Sequence, residues 1–510
     1  MSDEILSPLA GSALRVEDRE QLDDFLSRPD ARDVVRSASF EELFFTVKHI
    51  GLADCLDLLP LATVKQIRGF IDLDCWQKDT FIRKPLMEWI AAFIQLGPED
   101  TVRALTGIDE TVLALFMKDI IRVYEVERDD PPEGPNLIFT PDSRFAVEPL
   151  EEGEPATIGM LMLDAMFKYN PRQGSSILSL VRYTTRIELE ETAFENRTGR
   201  LEQHGFVDYY DALSIYSGPG AGERQGVPER EKEIEAIPGE EIMGNLPAIF
   251  ADSILGGKFL LHAFQHVTDP EESDRCAHEL TALGNRILSA NLVNLGELEA
   301  IRPALEEMRD FLTIGLEHLT GNRADEAPAA LRKNYIQTIF KVGFDRVARL
   351  RDLADSIASI KGVNLSSLDQ PDVDFLEGVR RFKPLLSEEG RYRNFQGVVD
   401  VEKARARLDA LRLMVETFIT TFPEIKGSLM KTFNTATVRF AIDGKFEPVA
   451  LSAKELERFL AGGFALPEME VPAELQPFAE RWWKELREEL TPLAGAKVDP
   501  RFIGSVEVLL

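Results

Sequence analysis

The sequence predicts a mainly α protein: a helical-repeat N-terminal domain and a larger helical domain, with small β-hairpins near 137–147 and 437–449. Three observations predict it. Apolar residues recur three and four apart over most of the 510 residues, which lines them along one face of a helix. Ser39, Asp109 and Ser452 stand as N-caps before such runs, and Glu42 and Glu455 complete capping boxes three residues on. Strand-like alternation is confined to two short places, each built around a turn signal.

Residues 1–124 form the helical-repeat domain. The helix after Ser39 carries Phe44, Val47 and Lys48 and stops near Gly51, and the helix after Asp109 buries Val112, Leu113, Phe116 and Ile120. At an offset of 46 residues, Val47, Ile50, Gly51 and Asp54 fall on Phe93, Leu96, Gly97 and Asp100, and Ile67 and Phe70 fall on Leu113 and Phe116. That length suits a helix pair or triplet whose apolar face a neighbour must cover.

Residues 125–155 are an acidic junction with ten acids against Arg128 and Arg144. Within it, Leu137-Ile138-Phe139-Thr140 and Phe145-Ala146-Val147 flank Pro141-Asp142-Ser143-Arg144, a hairpin signal. Helical periodicity returns over 156–216. Residues 217–240 hold five Gly and three Pro among many charges and read as a linker or loop. A helical domain over 241–425 follows, with helices near 241–268, 272–290, 297–319, 328–360, 371–382 and 399–421. Residues 426–510 read as a hairpin plus helices: Val438, Phe440 and Ile442 alternate ahead of Asp443-Gly444, and a last helix carries Trp482 and Trp483.

The charge of −30 opposes nucleic acid and anionic lipid as partners. The basic cluster Arg380, Arg381, Lys383, Arg391 and Arg393 is interrupted by Glu388 and Glu389 and reads as a solvated loop. No apolar run is long enough to span a bilayer, the first twenty residues lack a secretory pattern, and three scattered cysteines (Cys55, Cys75, Cys276) make no disulfide framework. The expected compartment is the cytoplasm.

Several constellations could carry chemistry. His262 and His266 lie four apart on one helix face, and Cys276 and His278 follow, so the four offer a tetrahedral zinc site. Against it, Cys-x-His on a helix points its ligands about 200° apart; the competing reading has His262 at the core border, His266 near solvent and Cys276 buried. Glu188, Glu191 and Glu195 share a face suited to acid–base chemistry or cations, or to an exposed salt-bridged surface with Arg182 and Arg186. Gly218-Pro219-Gly220-Ala221-Gly222 lacks the strand and helix a phosphate cradle needs, and Ser428-Leu429-Met430-Lys431 lacks the partner motifs of acyl transfer. The densest unusual cluster is Arg200, Phe206, Asp208, Tyr209, Tyr210, Asp211 and Tyr216, with the Tyr and Arg content of an interface. Tyr209, Leu213 and Tyr216 also have the spacing of core packing.

The run RLEQHGFVDYYDALSIY at 200–216, with ALGNRILSAN at 282–291, GLEHLTG at 315–321, FLEGVRRFKPLL at 375–386 and YRNFQGVVDVE at 392–402, resembles a family of bacterial proteins known as a domain of unknown function, over about residues 30–425. That resemblance implies no activity, cofactor or catalytic residue. Phe40 to Tyr124 is similar in rhythm to the acidic helical-repeat domain of MgtE-type magnesium transporters. The functional expectation is a protein-interaction or scaffold module with protein partners and no cofactor, the interaction residues being Arg200, Asp208, Tyr209, Tyr210 and Tyr216. The alternatives are an enzyme or metal-dependent regulator built from dispersed His, Cys and Glu residues, and an acidic sensor of divalent cations.

Overall fold

The structure is a computed structural model that describes residues 14, 16, 18–131, 137–217, 250–361, 364–388, 390–422, 427–462, 469–494, 499 and 502–509. The expected linker beyond Ser217, the glycine run Gly218–Gly222, Glu133, Glu389 and residues 241–249 lie outside them. The chain is mainly α, with 22 α-helices and nine short strands among the described residues. It divides into two compact units, Met1–Gly343 and Phe344–Leu510. Among the described residues no helix is long and apolar enough to cross a membrane.

The first unit opens with α1 (Arg19–Leu26), α2 (Ala31–Ser37), α3 (Phe40–Ile50) and α4 (Val64–Asp74), then the hairpin β1 (Trp76–Gln77) and β2 (Thr80–Phe81). α5 (Arg83–Leu96), α6 (Pro98–Gly107) and α7 (Glu110–Ile120) lead into β3 (Ile121–Glu125). β4 (Ile138–Phe139) and β5 (Phe145–Pro149) complete an antiparallel sheet of order β3-β5-β4. α8 (Glu154–Tyr169), α9 (Pro171–Tyr183), α10 (Arg186–Glu202), α11 (Tyr209–Leu213), α12 (Ala251–Leu255), α13 (Lys258–Gln265), α14 (Pro270–Ala290), α15 (Leu298–Leu319) and α16 (Ala327–Lys333) follow, and α17 (Ile336–Ala358) begins here.

The local signals act as their chemistry requires. Ser39 Oγ accepts the Glu42 N–H at 3.1 Å, and Asp109 accepts from Thr111 N–H at 3.0 Å, so both free helix starts are satisfied. α7 buries every residue from Val112 to Met117 and is covered by α9 and α10. In the 137–147 hairpin, Ile138 faces Val147 and Phe139 faces Ala146, with Ser143 at a positive φ of 56° in the turn. The helix expected over 241–268 is two pieces in its described part, α12 and α13, separated at Gly256-Gly257. The helix expected over 328–360 is likewise interrupted between Lys333 and Ile336.

The second unit holds the rest of α17, then α18 (Gln370–Val379), the hairpin β6 (Leu386–Glu388) and β7 (Arg391–Arg393), α19 (Val398–Thr421), α20 (Leu429–Asp443), β8 (Leu451–Ser452), α21 (Ala453–Ala461), α22 (Gln476–Leu490) and β9 (Val508–Leu509). One core cluster joins Val438, Leu451, Leu456, Leu460, Leu486 and Leu490. Two expectations are corrected here. The hairpin near 437–449 does not form: Val438, Phe440 and Ile442 lie in α20, and Gly444 is its left-handed C-cap at φ 78°. Residues 432–438 are all buried, the polar Thr432, Asn434, Thr435 and Thr437 included, so this part of the helix is enclosed on every side and the alternation of Val438, Phe440 and Ile442 carried no strand. The basic stretch expected as a loop includes a hairpin over 386–393; Arg393 pairs with Glu388 and Asp400 and Arg380 with Asp355, while Arg381 and Arg391 are exposed.

Candidate functional site

The four candidate metal ligands do not converge. His262 and His266 stack with ring centroids 4.2 Å apart, and the His266 ring nitrogen Nδ1 bonds the His262 carbonyl oxygen at 2.9 Å. Cys276 is buried, His262 sits at the core border and His266 is exposed. Among the described residues no group of three or more His, Cys, Asp or Glu side chains is arranged to hold a metal ion. The Glu188, Glu191 and Glu195 face divides in the same way. Glu188 closes the capping box of α10 on Thr185, while Glu191 and Glu195 are exposed. Arg182 pairs with Asp129, and Arg186 with Asp119 and Glu190. Ser428 stands at the N-cap position of α20.

The aromatic cluster is brought together in part. Asp208 caps α11 through the Tyr210 N–H at 2.9 Å. Tyr210 is 79% exposed and meets Tyr209 edge to face at 5.3 Å. Tyr216 packs instead: it is buried, lies edge-on to Phe340 at 5.8 Å and donates its hydroxyl to Glu307 at 2.5 Å. Burial and the Glu307 carboxylate push that phenol far above its ordinary range. Arg200 turns away from the tyrosines and forms a fork on Asp72 at 2.7 and 2.8 Å, with a further bond to Asp109 at 2.9 Å.

What positions the tyrosines is the turn between α10 and α11. Gly205 there has φ 82°, and a Cβ on it would lie 3.2 Å from the Ala282 Cα, so a side chain is strained as well as crowded against α14. Asn285 of α14 donates to the His204 carbonyl at 2.6 Å, and Arg286 to the Asp211 carbonyl at 2.9 Å. The turn is thereby fixed to a rigid helix.

A cavity of about 490 Å³ opens beside this turn, within the size range of about 300–1,000 Å³ usual for ligand sites. Its lining is largely apolar, including Phe194, Leu201, Phe206, Leu288 and Val293, with Tyr209 and Tyr210 along one side. Lys78 and Asp79, from the exposed turn of the β1–β2 hairpin, and Asp208 also line it. So do Trp76 and Arg197, which sequence reasoning missed. Arg197 Nε–H donates to the Asp72 backbone carbonyl at 2.6 Å, and its guanidinium lies 5.7 Å from the Trp76 ring centre. Burial pulls this guanidinium down to about 10, against the raising pull of Asp72. The available signal was the spacing of Arg197 and Arg200, three apart on one helix, which lets both reach Asp72. A second cavity, of about 600 Å³, lies between α8 and the β4–β5 hairpin with Ile138, Phe139 and Leu161 exposed on it, and among the described residues Asp164 is its only ionisable lining residue.

A family model described as a family of unknown function (DUF6178) matches residues 5–508. The chain belongs to this family. The match takes in nearly the whole of both units, including the 200–216 turn and the α14 helix that anchors it, so in DUF6178 the cavity is built from family sequence and not from an appended domain. No curated protein and no solved structure matches the chain.

Proposed function

We propose that this DUF6178 protein is a cytoplasmic protein-interaction module and that its recognition cleft is the cavity beside Tyr209 and Tyr210. The observation that carries the reading is the exposure of Tyr210, 79%, on the rim of an apolar cavity. A large aromatic left in water next to a pocket is what an interface anchor needs: area to bury on docking, with few rotamers to lose. The rigid attachment of the turn to α14 keeps that ordering cost low.

Two further observations support the wider reading. Cys55, Cys75 and Cys276 are buried thiols, in keeping with a reducing cytoplasm. Shifted by 46 residues, α3 falls on the second part of α5 and Val64–Asp74 falls on Glu110–Ile120, in keeping with a helical repeat in the first 124 residues. Arrays of this kind present extended surfaces to partners.

The test is affinity capture from native lysate with the full chain and with Tyr210→Ala. Because Tyr210 is exposed, the variant keeps the wild-type melting temperature and loses a partner that the wild type retains. The same partners on both proteins refute the assignment of the cleft.

A further inference from the structure

A guanidinium removed from bulk water is stable only where its charge is offset and its N–H groups find acceptors. Arg200 meets both conditions through Asp72 and Asp109. Arg197 meets one. Asp72 is near enough to offset its charge, but both Asp72 carboxylate oxygens are spent on Arg200, and only the Arg197 Nε–H has an acceptor. Among the described residues no acceptor is bonded to its terminal nitrogens, and no carboxylate lies within ion-pair distance. Trp76 stands beside it, 3% exposed, and its buried indole N–H likewise has no acceptor. Buried donors are nearly always bonded. The Trp76 N–H is closed off from the cavity, whereas the half-buried Arg197 lines it with its terminal nitrogens unspent.

We infer that the cavity recognises a monocarboxylate on an apolar body, with the terminal nitrogens of the Arg197 guanidinium taking the carboxylate oxygens. The planar fork of arginine matches a carboxylate edge, and the rest of the lining gives the ligand body apolar contacts. The other charged groups at the cavity are Lys78, Asp79 and Asp208. Asp208 spends one oxygen on the Tyr210 N–H, and Lys78 lies on the exposed hairpin turn without an ion-pair partner. One half-buried cation at the cavity wall suits a single negative charge; a dianionic phosphate would meet Asp79 and Asp208 with too little positive charge against it.

The inference rests on the cleft reading above, and two sources share this chemistry: a small amphipathic acid, or the C-terminal carboxylate of a partner ending in an apolar residue. Calorimetric titration of the full chain with 3-phenylpropionate and with its neutral amide separates charge from shape. The acid binds at least about tenfold tighter than the amide, the factor expected from a charge-assisted hydrogen bond. Arg197→Lys keeps the charge and removes the planar fork, and weakens the acid several-fold while leaving the amide unchanged. Arg197→Gln abolishes the preference; if that variant does not fold, the wild-type ratio and Arg197→Lys decide. A peptide ending in Leu-Phe with a free terminus, against the same peptide amidated, reads the second source. Binding of the free-terminus peptide supports both readings, and binding of the small acid alone supports the inference while overturning a protein partner at this cleft. Equal affinity for acid and amide, or binding of no probe, overturns the inference; if Tyr210→Ala still loses a captured partner in that case, the cleft reading survives without it.

Discussion

Replacing Arg200 with methionine isolates the contact that fixes α10 against α4. The native side chain donates two bonds to Asp72, at 2.7 and 2.8 Å, and one to Asp109, at 2.9 Å. The Asp72 side chain is 3% exposed, against 28% for Arg200. Removing one partner of a buried pair leaves the other charge without compensation, a loss of about 3–5 kcal/mol. The partial exposure of Arg200 admits water to the gap and places the effect near the lower end, about 3 kcal/mol. Asp109 adds little, because its carboxylate keeps the Thr111 cap. Burial already pushes the Asp72 carboxyl up against the pull of Arg200. Without Arg200 it rises further, so the folded state holds a proton that the unfolded state releases. Stability of the variant is then greater at low pH and falls as pH rises through the folded-state value. Hydrogen exchange on the full chain reads this best, because it follows the amides of α4 and α10, whereas a global melt of a two-unit chain is not one transition. Adding Asp72→Asn to Arg200→Met returns about 1–2 kcal/mol by removing the stranded charge. Unchanged protection of α4 in Arg200→Met, or strict additivity of the two substitutions, refutes the assignment of Asp72 and Arg200 as one unit.

Two further outcomes follow from packing and capping. Gly343→Ala places a Cβ 1.9 Å from the Phe311 carbonyl oxygen, a backbone atom, so α15 and α17 must separate by more than an ångström and their local stability falls by about 1–3 kcal/mol or more; wild-type hydrogen-exchange protection of the α15 and α17 amides in the variant would falsify the close helix approach. Glu455 is held down from 4.5 to about 2 by the Ser452 backbone N–H, then by the Ser452 hydroxyl and Arg439. Its stabilisation of α21 is therefore present above pH 4.5 and lost as pH falls toward 2, and Glu455→Gln removes that dependence from the exchange of the α21 amides.

The long helices were legible because their signals are local. The apolar stripes of α14, α15 and α19 and the caps at Ser39, Asp109 and Ser452 each lie within a few residues of what they determine. Asp443-Gly444 was misread for a physical reason. A glycine at positive φ closes a hairpin turn and ends a helix with equal ease, and the deciding fact, burial of 432–438 on every side, is tertiary. The β6–β7 hairpin was hidden because Arg393 is neutralised by Glu388 and Asp400, which a charge count cannot pair.

The cleft shows the same limit more sharply. Gly205 and the tyrosines stand out in sequence, but Arg197 meets Asp72 across 125 positions, and Trp76 comes from a two-residue strand that no periodicity marks. The acidity of the chain then acquires a meaning that the total of −30 does not have. A strongly negative protein repels anions over distances comparable to the Debye length, about 8–10 Å in physiological salt. An anion can therefore be held only at short range, by donors at the cavity wall, and only if its apolar part supplies the contact that long-range attraction does not. Arg200, saturated by two carboxylates, is scaffold. Arg197, one turn away with its terminal nitrogens unspent, is the group on which selection among ligands depends.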